Sequence, residues 1–128
     1  MRTCHAILKH CEWVIKWPSV EERRSISGRI RKSHGFVHCI GLIDGTLFPL
    51  AFAPTLNGKD YYTRKGDYAI KGLVICDDTA WITWIKVGWP GSVHDNRVWS
   101  NSEIYLGRDK YFDQREYCLA IQRFQPPQ

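Results

Sequence analysis

Two carboxylates hold positions from which chemistry is possible. Asp44 follows an apolar run over residues 36–43, and Asp95 follows a second over residues 80–89 after the turn at Pro90-Gly91. If the strands these runs predict are sheet neighbours, both carboxylates arrive at one end of it. Mg²⁺ is commonly held by one or two carboxylates together with substrate phosphate oxygens. Two such ions a few ångströms apart can activate a water and stabilise the leaving oxygen of a phosphodiester. Each residue also has a structural reading. Asp44-Gly45 between apolar runs is a hairpin signal, and Ser92-Val93-His94-Asp95 reads as a capping box with Asp95 at its fourth position. Spacing alone leaves both readings open.

The elements that must carry these residues follow from periodicity. Residues 3–17 read as a helix with Ile7, Cys11 and Val14 on one stripe, ended by Pro18. Ser19 and Glu22 make a capping box for a second helix, with Ile26 and Ile30 on its inner side and Gly35 as its stop. Strands are then expected over residues 36–43, 47–53, 68–76, 80–89 and 117–120, with Pro49 marking an edge or bulge. The run 80–89 is apolar on both faces, which predicts a central strand. A polar loop at 57–67 carries Lys59, Arg64 and Lys65, and a short helix is expected over 96–106. The chain thereby divides into a basic helical segment (1–34), an α/β segment (35–120) and a polar tail (121–128).

Composition narrows the class. The 128 residues include 44% hydrophobic and 24% charged side chains, values of a folded globular chain. Residues 1–34 hold eight Lys/Arg against three Glu, so the whole net charge of +5 lies there. A basic helical surface suits phosphate backbones, and equally a solvated face. The five cysteines contain no C-x-x-C pair, which fits a reducing, intracellular setting in cytosol or nucleus. Cys4, His5, His10 and Cys11 match no standard zinc spacing. No stretch has the apolar length of a membrane span.

Four segments in order carry a resemblance. Ile43-Asp44-Gly45-Thr46 followed by Pro49, Tyr62-Thr63-Arg64-Lys65-Gly66, residues 74–77, and Trp89-Pro90-Gly91-Ser92-Val93-His94-Asp95 resemble motifs of PIF/Harbinger-type transposases of the DDE superfamily. The resemblance covers roughly residues 13–120. It implies an RNase H-like fold, a mixed five-stranded sheet flanked by helices, with acidic residues that bind divalent metal (Mg²⁺ or Mn²⁺) for hydrolysis and strand transfer on DNA. Carried over by residue, Asp44 and Asp95 become catalytic metal ligands, and Arg64 and Lys65 become DNA-backbone contacts or supports of the site. His94 reaches substrate or caps its turn, and Asp77 occupies a family position at a turn.

The resemblance also implies a third acidic residue directly after the strand at 117–120. Ile121 stands there, and residues 122–128 resemble nothing in the family. The expectation is a C-terminally incomplete domain from an altered or decayed copy, weak or inactive as a nuclease, with apolar surface left open near Trp81, Trp84 or Trp89. A separate DNA-binding partner protein is compatible with the family pattern, and the oligomeric state is open. A non-catalytic DNA- or protein-binding module using the basic helices is the alternative. A two-carboxylate glycosidase is disfavoured by the basic, tyrosine-rich loop.

Overall fold

The computed structural model describes residues 2–120. In chain order its elements are α1 (Arg2–Val14), α2 (Val20–His34), β1 (Cys39–Pro49), a 3-10 turn (Gly58–Tyr61), β2 (Ala69–Cys76), β3 (Ile82–Pro90), α3 (Asp95–Ser100), α4 (Glu103–Leu106), α5 (Arg108–Tyr111) and β4 (Tyr117–Ala120). The strands form one mixed sheet in the order β3-β2-β1-β4. β1, β2 and β3 pair antiparallel, and β4 adds parallel to β1. A mixed sheet flanked by helices is the arrangement expected of an RNase H-like fold, with four strands among the described residues.

Local chemistry accounts for the helices. Ser19 Oγ accepts from Glu22 N, Glu22 reaches back to Ser19 N, and Gly35 closes α2 in the left-handed region at φ 79°. The sequence placed both ends of this helix correctly. α1 forms as expected, yet none of its residues is buried, and Ile7, Leu8, Trp13 and Val14 stay exposed. The expected helix 96–106 breaks in two because Ser102 caps a new start, accepting from Tyr105 N at 3.3 Å.

Two strand expectations are corrected. Residues 36–43 and 47–53 are not separate strands. One strand of 11 residues runs through Asp44-Gly45, with Asp44 paired to Val74 and Gly45 to Leu73, so the hairpin reading of this dipeptide fails. Pro49 is its last residue, and the next ladder donor is Leu50 N, which bonds to Tyr68 O at 2.8 Å. β3, expected to be central, is an edge strand. Thr83 and Trp84 are buried on its two faces while Trp81, Ile82 and Val87 remain exposed, so its apolar run is covered over only part of its length.

The sheet separates two cores. On one face Ile43, Leu73, Ile75 and Trp84 pack against Val98 and Ile104 from α3 and α4, with Trp17, Trp89, Trp99 and Cys118 around them. On the other, Ile26 and Ile30 of α2 pack on Cys39, Tyr117 and Leu119. A bulge between Cys39 and Gly41 shifts β1 by one residue against β4. It lets Cys39 face α2 while Gly41, Ile43 and Gly45 face α3. The expected apolar gap is largely filled: Trp84 is 7% exposed and stacks edge-to-face on Trp99, and Trp89 packs on the same core, leaving only Trp81 open.

Candidate functional site

Asp44 lies mid-strand on β1, exposed, and its Oδ1 accepts only the neighbouring Gly45 N–H, at 2.8 Å. Alternation along the strand turns its side chain to the face opposite Ile43 and Gly45, the α2 side of the sheet. β4 runs parallel beside it and pairs Ala120 with Ile43. The parallel strand therefore delivers the chain to the same end of the sheet as Asp44. The residues after Ala120, including Ile121 and the tail, lie outside the described residues.

Asp95 reaches β1 by a different route. It is the first residue of α3, whose start is aimed at the sheet by the turn Pro90-Gly91-Ser92-Val93. That turn is held down by Ser92, whose N and Oγ both donate to Asp60 O. The expected capping box does not form, because the helix starts at Asp95 with His94, not Ser92, at the N-cap. His94 occupies the N-cap position without a side-chain capping hydrogen bond. The Asp95 carboxylate then lies directly on Gly45: a β-carbon on that glycine would overlap all three carboxyl atoms. Only glycine admits this approach.

Lys71, on β2 and facing α3, puts its Nζ 2.8 Å from Asp95 Oδ1. The same oxygen is buried and has no well-directed hydrogen bond, so the contact is an ion pair without hydrogen-bond alignment. A fixed ammonium thus occupies the cation position next to this carboxylate. The structure brings Asp95 to the residue beside Asp44 but leaves the sheet between the two side chains. Sequence reasoning missed both partners in this arrangement. Gly45 reads as a turn glycine, and nothing local to Lys71 in the sequence marks it as a partner of Asp95.

Arg64 and Lys65 sit exposed at the tip of a tight turn, where Thr63 Oγ1 accepts from Lys65 N and Thr63 O from Gly66 N. Tyr62 and Tyr68 stack at its base, with ring centres 5.2 Å apart. The turn lies beyond the Pro49/Ala69 end of the β1–β2 ladder. Five residues of strand put that ladder end about 17 Å from Asp44. Asp77 is a turn residue: its Oδ1 accepts from Thr79 N, Thr79 Oγ1 and Trp81 N.

The basic character of α2 also divides. Arg23 is buried, donating to Glu116 Oε2 at 2.9 Å and to Pro18 O. Arg29 forks onto both oxygens of Asp78 at 2.8 Å, and this partner holds the Asp78 carboxyl below its ordinary range. On the other face Glu103 meets Trp84 and Lys86. Burial pushes its carboxyl up, but a backbone hydrogen bond and those two partners outweigh burial and lower it. Among the described residues no group of three or more His, Cys, Asp or Glu is placed to hold a metal ion.

No helix in the described residues is long and apolar enough to cross a membrane. The family profile described as DDE superfamily endonuclease matches residues 43–128, two thirds of the chain. The rat protein named "Putative nuclease HARBI1" (Rattus norvegicus) is 26% identical over 100 residues, covering 77% of this chain and 28% of that protein. The chain therefore spans under a third of that relative's length. No solved structure matches. With the matched region beginning one residue before Asp44 and running through the sheet just described, the chain belongs to the DDE superfamily endonuclease family.

Proposed function

We propose that the chain is a transposase-derived, metal-dependent DNA endonuclease domain in which Asp44 is the carboxylate offered to a divalent ion, and that it cleaves DNA weakly as it stands. The observation that carries this reading is Asp44 itself: an exposed carboxylate on an interior strand, in the family-matched region, with no salt-bridge partner among the described residues. Mg²⁺ needs only one or two carboxylates when phosphate oxygens complete its shell. A pair of ions needs further carboxylates. Asp95, expected as the second ligand, faces away from Asp44 and already carries Lys71 as its counter-ion. We assign it to holding α3 on β1.

Arg64 and Lys65 fit DNA-backbone contacts at the rim of the domain, as exposed cations on a hydrogen-bonded turn. A DNA substrate and five unpaired cysteines are consistent with a nuclear or cytoplasmic location. The second reading, a non-catalytic module that binds DNA or a protein, is favoured by the unpaired arginines on α2 described below.

The test is nicking of supercoiled plasmid with Mn²⁺, Mg²⁺ or EDTA by the parent chain and by Asp44→Asn. Weak metal-dependent nicking that disappears in the variant is expected. Nicking unaffected by Asp44→Asn removes the assignment, and vigorous turnover by the parent chain contradicts the proposed weakness.

A further inference from the structure

A second charged feature lies at the opposite end of the β1–β4 pair. α2, the segment leading into β1 and the loop before β4 enclose an open groove of about 630 Å³, lined by Arg24, Gly28, Arg31, His38 and Arg115 among others. Two acids also line it, and both are turned toward Arg23. Glu116 is buried on Arg23 Nε at 2.9 Å and accepts from Asp113 N, while Asp113 Oδ1 lies 3.8 Å from Arg23 Nη2. Arg24, Arg31 and Arg115 are exposed and make no ion pair among the described residues.

The pattern follows from helix geometry. Arg23 and Ile30 face the sheet, so Arg24 and Arg31, seven residues apart, share the outward edge, about 10 Å from each other along the axis. Gly28 lies between them with nothing within 4 Å of where its side chain would be, which keeps the floor of the groove open. Unpaired guanidinium groups around a concave, open surface can each present a planar fork of donors to two oxygens of a phosphate. His38 and Asp44 are six residues apart on and before β1, so the groove stands roughly 20 Å from the acidic position.

We propose that this groove binds the phosphate backbone of a nucleic acid, through Arg24, Arg31 and Arg115, independently of Asp44. The groove is a separate site from the acidic one and binds without a divalent ion.

The test is fluorescence anisotropy of a short labelled DNA duplex with the whole chain in EDTA, across a salt series. Each phosphate contact contributes roughly −0.9 to the slope of log K against log salt, so R24Q/R31Q flattens the slope by about 2. Gly28→Glu places a carboxylate in the groove without a clash, and weakens low-salt binding at least about tenfold by like-charge placement against the backbone. Gly28→Gln fills the same space without charge and retains binding. Equal binding by both Gly28 variants, or equal loss in both, overturns the proposal. So does displacement of the duplex by a mononucleotide at matched phosphate concentration, which marks a small-ligand site instead.

Discussion

The two faces of the sheet treat charge in opposite ways. On the α3 face the motif carboxylate is closed in: Asp95 rests on Gly45 against Lys71, while Glu103, tied to Trp84 and Lys86, stays at the surface. On the α2 face, Asp44 is exposed on β1, and three arginines line an open groove. Partly buried ion pairs fix geometry and are costly to break from one side, whereas exposed charges cost little to remove and remain free for a ligand. The difference teaches that the two family-motif aspartates, adjacent in space along β1, are not equivalent. One is held and one is offered.

Mutations can break or sharpen that contrast. The largest effect is expected inside the open face, at its buried ion pair. Arg23→Ala strands Glu116 as a buried charge and costs about 3 kcal/mol or more in urea unfolding, while Arg24→Ala next to it stays within about 0.5 kcal/mol. Equal effects would erase the division between held and offered arginines. Gly45→Ala forces a methyl into the Asp95 carboxylate and destabilises by about 2 kcal/mol, as overpacking does. An unchanged midpoint would mean α3 does not bear on β1.

Smaller effects probe the same boundary. Burial pushes the Cys118 thiol well up on the closed face, so in the native chain it resists alkylation that modifies exposed Cys4 readily. Fast labelling of Cys118 would show that this core opens. The Arg29–Asp78 pair is exposed on the arginine side and is worth about 0.5 kcal/mol. Because Asp78 is held below its ordinary range, that contribution is present above the unfolded carboxylate value near ~4 and is lost as pH falls through the folded one. Asp78→Asn therefore lowers stability at neutral pH by about that amount and flattens the acid limb, the two profiles converging below the folded carboxylate's range.

The fold was legible where local chemistry decides it. Ser19, Glu22 and Gly35 bounded α2, and alternating apolar runs marked β2 and β4. What the sequence hid was tertiary. Asp44-Gly45 has the composition of a turn, and only the pairing of β1 with β2 and β4 makes it mid-strand. β3 reads as central because Trp81, Ile82 and Val87 are apolar, although they face outward at an edge. At the candidate site, motif order located Asp44 and Asp95 but carried no information on which face each would take. That depends on a one-residue bulge at Cys39–Gly41 and on Lys71, whose pairing is a matter of strand neighbours rather than of sequence distance.

The central claim, that Asp44 meets metal while Asp95 holds structure, is tested most directly by thermal unfolding of Asp44→Asn and Asp95→Asn with and without Mn²⁺. The account predicts that Asp95→Asn lowers stability by about 2 kcal/mol without metal, by leaving Lys71 uncompensated, and keeps whatever stabilisation Mn²⁺ gives the parent. Asp44→Asn is expected to leave the metal-free midpoint in place and to abolish the Mn²⁺ shift. An Asp95→Asn chain of undiminished stability that has lost its response to Mn²⁺ would contradict the account.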